Sequence, residues 1–335
     1  MYLKTLPSYF LYFPFFKKIF FTISRQFLIF APMKNNIHHK LKNYIMLKFK
    51  ADIKTLIFLA ITTALLFIQW NYGFHWYIYI VSLYLAVTCA VTAHNHNHVP
   101  MWKNDFLNHV TDYWITLFYG FPAFAWTPTH NKNHHKFNNR EGDYTITYRI
   151  SEKNNALTLI SYPSISSYFQ QNAIAQHLKY LWKNKRGEFY SSIGQYVALF
   201  LFIGICLFLN WRKAIMYVLI PQQFALFAVL VFNYVQHVHA DEESQWNHSR
   251  NFVSRSTNWM LFNNGLHTAH HYRASIHWSE LRATHEKILP NIDPVLNEQG
   301  FWSYLIKAYI IGPFNRKFRT HSMRLERKKR QQQTA

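Results

Sequence analysis

Long apolar stretches, separated by basic ones, leave this chain few folds to choose from. Four of them stand out: Thr55–Trp70, Trp76–Ala93, Ile193–Leu209 and Ala214–Val235. With their flanks they run to roughly 17–22 residues, about 30 Å of helix, which is enough to cross a bilayer core. In hydrocarbon every backbone N–H and C=O must be satisfied within the segment, so a stretch of this kind is helical. Mean hydropathy over all 335 residues is −0.15, a soluble-looking value that averages two opposite kinds of segment.

The formal charge of +21 admits a nucleic-acid reading, but the placement of the cations opposes it. Lys and Arg number 10 in residues 1–54, 10 in 95–188 and 14 in 238–335, and only Arg212 and Lys213 lie elsewhere. The cations therefore flank the apolar segments, as on the cytoplasmic side of a membrane protein. No zinc-finger or RNA-binding motif accompanies them, so no nucleic-acid partner is expected. The two cysteines, Cys89 and Cys206, both lie in apolar stretches, which excludes a disulfide framework and a thiolate metal site.

The expected fold is an all-α membrane protein with four transmembrane helices in two hairpins. Asn71–His75 and Asn210–Lys213 form the short turns, and a cytoplasmic helical cap is built from the remainder. Residues 1–45 form a basic, aromatic extension without a signal-peptide core. It reads as an interfacial anchor or, the favoured alternative, as a wrongly extended start, with Met46 opening the true lead-in. Residues 46–314 form the membrane domain and 315–335 a basic cytoplasmic tail, solvated near anionic lipid. Phe106–Trp126, Ile160–Trp182 and Phe301–Phe314 are expected to be re-entrant or to lie along the membrane face. Richness in Asn, Lys, Ile, Tyr and Phe points to a bacterial source and hence an inner-membrane location.

Twenty histidines are many, and their placement says more than their number. His94, His96 and His98 close the second span. His130, His134 and His135 follow Phe106–Trp126. His237 and His239 lie just past the fourth span, and His267, His270 and His271 stand together thereafter. In a helix, residues three and four apart share a face, so His94 and His98 point together while His96 points away. By the same rule each later triplet is expected to form one cluster. A lone HxxxH is a weak signal, but three such groups at one membrane edge are not scattered surface histidines. Neutral imidazole ligates iron, zinc, copper and nickel, and this many histidines exceed the needs of one ion. No HExxH is present, which removes an intramembrane zinc protease. A metal-transporting protein would need polar residues inside the spans, and these four have few, Gln222 and Gln223 foremost.

At these residues the chain resembles the integral-membrane fatty acid desaturase and hydroxylase superfamily, whose pattern is three histidine boxes on four spans. NNGLHTAHH followed by HWSEL is similar to the third-box region of bacterial fatty acid desaturases. The resemblance covers about 55–315. It implies His94 and His98 as ligands from the first box, His130, His134 and His135 from the second, and His267, His270 and His271 from the third. A histidine four residues after an asparagine beyond the fourth span implies His237 as a ninth ligand, with Asn233 reaching a metal through water. The implied cofactors are two iron ions, with O₂ as co-substrate. The implied partners are a lipid acyl substrate and a separate electron donor: a ferredoxin, a cytochrome b5-like protein or a rubredoxin. The implied reaction is desaturation of an acyl chain. The three residues between His130 and His134 resemble the alkane-hydroxylase branch, as NYVQH partly does. A hydroxylase, monooxygenase or carotenoid ketolase is therefore the alternative on this scaffold, and a histidine-rich metal transporter the alternative of another class. Asp143, Glu280, Asp241 and Glu242 are candidates to orient ligand imidazoles. His239, His248, His277 and His285 are expected to pack or lie outside the ligand set.

Overall fold

The computed structural model describes residues 46–334, and the expectations for 1–45 fall outside them. Helix α1 (Asp52–Tyr72) ends at Gly73, whose φ of 87° costs a residue without Cβ little. Helix α2 (Trp76–His98) follows directly. Ala86, Cys89, Ala90 and Ala93 of α2 are buried against Leu59 of α1. Small side chains let helix backbones approach closely, which is how membrane helices associate.

Helix α3 (Asp105–Tyr119) starts where the Asn104 side chain accepts from the Leu107 N–H and stops at left-handed Gly120. Gly120 is required there: a Cβ would come within 2.4 Å of Gln222 Cβ. Helix α3, within the segment expected to be re-entrant or to lie along the membrane face, packs against four other helices. Ile115 and Tyr119 join the α2 cluster, the Trp114 indole N–H donates to Thr63 at 2.9 Å, and Thr116 meets Gln195.

Helix α4 (Ala156–Asn184) opens with a reciprocal capping box between Asn155 and Thr158. Helix α5 (Arg186–Ala214) passes through a short π-helical stretch into α6 (Ile220–His237). Asn210, at φ −165° and ψ 100°, breaks the helical path. Cys206 before the break and Ala214 and Val218 after it share one buried cluster, flanked by Leu66 and Trp70 of α1. In a straight helix Cys206 and Ala214 would stand about 12 Å apart, so the chain folds back at Asn210. Among the described residues three helical segments are long and apolar enough to cross a membrane: Asp52–Tyr72, Trp76–His98 and the 52-residue Arg186–His237 that contains the break.

Beyond α6 the chain forms α7 (His267–Tyr272) and α8 (Leu281–Ile288). A two-residue parallel pairing of Asn251–Phe252 with Asn297–Glu298 is the departure from an all-helical expectation. Asp52 at the start of α1 is buried and accepts from the Trp278 indole at 2.9 Å, with His277 Nε2 at 3.1 Å. It ties the first long helix to the region after the third histidine group.

The basic tail carries helix α9 (Met323–Thr334), none of whose residues is fully buried. Arg324 pairs with Glu152 and Glu242, and Arg327 with Asp241 and Glu242 at 2.7 and 2.8 Å. Asp241 and Glu242 are thus engaged by arginines and do not orient histidines.

Candidate metal centre

The histidines expected as ligands converge, but each of the two later triplets divides. His94, His98, His130, His135 and His270 form one group; His134, His237, His267 and His271 form another. Within each group the ring nitrogens lie within 4.8 Å of one another. Expected as a single cluster, the second triplet is split by a π-helical turn, Thr127–His134. The wider turn brings residues five apart onto one face, so His130 and His135 share the first group while His134 swings to the second. In α7, His267 and His271 fall four apart on one side and His270 on the other.

The nitrogens meet in a way that needs a cation. His134 Nδ1 lies 2.8 Å from Asp143 Oδ2, and His237 Nδ1 lies 3.1 Å from the His248 carbonyl. Each oxygen can only accept, so both Nδ1 atoms carry the proton and both Nε2 atoms present lone pairs. Those two Nε2 atoms stand 3.1 Å apart, and His237 and His267 Nε2 stand 2.8 Å apart. In the first group His94 Nε2 lies 2.9 Å from His130 Nε2 and 3.0 Å from His270 Nε2, and His135 Nε2 lies 2.9 Å from His270 Nε2. Nitrogens bound at right angles about 2.1 Å from an ion would be about 3.0 Å apart. Two nitrogen-rich sites, of five and four donors, therefore fit two transition-metal ions and leave positions open for further ligands.

Electrostatics keep the donors neutral. Burial, followed by neighbouring imidazoles, holds His130, His135, His267, His270 and His271 well below the ordinary histidine range. Burial alone would raise Asp143. The adjacent His134 ring and its hydrogen bond, with two more from Thr145, bring it down to about 2 instead. Asp143 is fully buried and also accepts from the Asn139 N–H at 2.7 Å. Asn138 and Asn139, both at positive φ, turn the chain sharply after the second triplet and bring Asp143 back beneath His134; Asn tolerates this conformation better than other residues with a Cβ. At the same site, buried Arg250 donates to the carbonyls of Val235 and Val238. A cation there complements the C-terminal dipole of α6 and fixes the end that carries His237.

Asn233, expected to act through water, donates Nδ2 to the Tyr162 hydroxyl at 2.7 Å. Tyr162 in turn donates to the Thr145 carbonyl, linking Asn233 to the loop that holds Asp143. His96 stands apart from both groups and accepts from the Met101 N–H. His239 faces Glu152 and Thr320, and Glu280 contacts no histidine of either group. His248, expected to pack or lie outside the ligand set, is buried with its ring 5.3 Å from that of His271; an isolated histidine carries no spacing signal for such a neighbour.

A cavity of about 370 Å³ opens beside the two groups. His94, His130 and His267 line one end. Val91, Phe121, Leu226 and Leu230 line the remainder, with Ser167 and Gln170 of α4 on one wall. Asn233 and Gln223 both border it ten residues apart on α6, which gives it a length of about 15 Å.

Buried paired nitrogen sites that could hold two metal ions thus lie beside a largely apolar cavity, in a chain with helices long and apolar enough to cross a membrane. The family model described as fatty acid desaturase matches residues 69–304, and the chain belongs to that family. It is accordingly an oxidoreductase of the desaturase and hydroxylase type. No curated protein and no solved structure matches the chain.

Proposed function

We propose that the chain is an O₂-dependent di-iron desaturase that introduces a double bond into a lipid acyl chain. The observation that carries this reading is the juxtaposition of two convergent imidazole groups with one elongated apolar cavity. Nitrogen-rich sites with open positions suit iron. The nine histidines would hold two such ions, with Asn233 Oδ1, which accepts no hydrogen bond among the described residues, placing a water beside them. When bound, the iron pair supplies the activation of O₂. The overall change balances as one acyl –CH₂–CH₂–, one O₂, two electrons and two protons giving one –CH=CH– and two waters. The protein holds the chain extended along α6, excludes bulk water with Val91, Phe121, Leu226 and Leu230, and keeps two adjacent methylenes near His94, His130 and His267. Hydrogen bonds to His134 and His237 Nδ1 fix those rings so that Nε2 faces inward.

The fold-back at Asn210 supports four spans in two hairpins, and the flanking cations support a cytoplasmic position for all the histidine groups. A bacterial inner membrane and a separate small electron donor complete the proposal. A hydroxylase is the second reading, favoured by the three residues between His130 and His134 and by NYVQH at 233–237.

The test is expression of the whole chain, wild type and His270→Ala, in a host of known lipids, with gas chromatography of the acyl chains. New double bonds in the wild type alone support desaturation, and new oxygen on carbon supports the second reading. Unchanged lipids together with an iron-free purified protein overturn both.

A further inference from the structure

His94 belongs to the five-histidine group, and its second ring nitrogen has a partner outside that group. His94 Nδ1 lies 3.0 Å from Asn95 Oδ1. Which way the Asn95 amide faces is decided by Asn264. Its Nδ2 is surrounded by oxygens: Asn95 Oδ1 and the Leu261 carbonyl at 3.0 Å, and the Phe262 carbonyl at 3.1 Å. An NH₂ belongs among acceptors, so Asn264 donates and Asn95 answers with its oxygen. That oxygen can only accept, so His94 Nδ1 carries the proton. Its Nε2 is left with a lone pair, on the side where it meets His130 and His270.

The backbone is strained where it delivers Asn264. Phe262 at φ 50° and Asn263 at φ 59° are both left-handed. That conformation is an outlier for a bulky aromatic and persists only where the surroundings enforce it. The Asn264 carbonyl is held in turn by Gln236 Nε2 at 2.9 Å. Gln236 immediately precedes His237, Asn95 follows His94, and His267 stands three residues after Asn264. Asn264 therefore ties together the three segments that carry His94, His237 and His267. Its bond to Asn95 joins residues 169 apart in the sequence. His94, Gln236, Asn264 and His267 all border the cavity.

Resting on the reading of the two groups as metal sites, we infer that Asn95 and Asn264 are the positioning residues of the five-histidine site: together they fix the tautomer and orientation of His94. Asn95 supplies the acceptor, and Asn264 keeps that acceptor turned towards the imidazole. Asp143 does the corresponding work for His134 at the other site. The two sites thus differ in what lies behind a ligand ring, a pair of neutral amides in one and a carboxylate in the other. A partner behind a ligating imidazole sets both its aim and its basicity, so loss of the amide pair weakens one ion and spares its neighbour.

The test uses the full chain in lipid nanodiscs with Co(II) as the probe ion, followed by its visible ligand-field spectrum and by titration against a chelator. The wild type should bind two ions. Asn95→Leu should weaken one of them about tenfold and change its spectrum, with the other ion held as before. Asn95→Asp, which keeps the acceptor, should hold both ions at least as firmly as the wild type. Asn264→Ala, milder for the fold, should weaken the same ion to a smaller extent. Combined with Asn95→Leu it should cost nothing further, because both act through one bond. Wild-type Co(II) binding by Asn95→Leu and Asn264→Ala overturns the inference. So does equal weakening of both ions, or an Asn95→Asp variant no better than Asn95→Leu. A wild type that binds no Co(II) overturns the metal-site reading instead. The metal-free chain, labelled with ¹⁵N-histidine, then still decides the inference: Asn95→Leu should lose one hydrogen-bonded Nδ1–H signal, and a spectrum identical to the wild type overturns it.

Discussion

Asp143→Asn isolates the support of one metal site without changing its volume. The carboxylate accepts four hydrogen bonds: from His134 Nδ1 and the Asn139 N–H at Oδ2, and from the Thr145 N–H and hydroxyl at Oδ1. An amide keeps one acceptor and turns an NH₂ towards the other pair. If the oxygen stays with Thr145, the His134 N–H faces a donor and the ring loses its anchor. A hydrogen bond to a charged group contributes about 1.5–3 kcal/mol, and loss of a ligand's outer partner typically costs about 10–100-fold in metal affinity. That range is about 1.4–2.7 kcal/mol, so the two estimates agree. The expected outcome is weaker binding at the site of His134, His237, His267 and His271, with the five-histidine site retained. Iron per chain, measured by mass spectrometry against a graded chelator, should fall first at one site. Wild-type retention of both ions across the chelator series would refute the anchoring role of Asp143.

Three further outcomes are expected. Asp52→Ala removes the buried acceptor of Trp278 and the partner of His277, and breaking such a pair should lower stability by about 3 kcal/mol; a thermal-melting shift in nanodiscs within error of zero would count against it. The buried imidazoles His130, His135, His267, His270 and His271 sit below the ordinary 6.5, so the unfolded chain binds more protons as pH falls through that value. Their contribution is complete above pH 6.5 and is lost progressively below it, and that of Asp143, at about 2 against 3.8, is lost between those values. Melting temperature and bound iron should therefore hold steady at higher pH and decline below 6.5, and a flat profile from pH 7 to 5 would contradict this. Leu226→Trp narrows the cavity about 10 Å along α6 from Asn233, and the products should shift to shorter acyl chains, an effect absent if the substrate runs elsewhere.

Much of the fold was legible because it rests on local signals. The apolar lengths of α1 and α2 and the spacing of His94 and His98 depend on helical period alone. What escaped depends on geometry that period does not encode. The allocation of His134 away from His130 and His135 follows from a π-turn, and an α-helical rule places all three together. Asp143 is among the acids expected to orient an imidazole, but that it serves His134, nine residues back, depends on two left-handed asparagines that reverse the chain. The docking of Arg324 on Glu152 joins residues 172 apart, and a basic tail looks the same in sequence whether or not such partners await it.

The π-helical turn at Thr127–His134 also bears on how such a protein can change over generations. One codon added between two ligands of a regular helix would rotate the second by about 100° and disable the site. Here the wider turn takes up the added residue while the nitrogens still meet. A histidine box can therefore differ by a residue in length and still bring its nitrogens together.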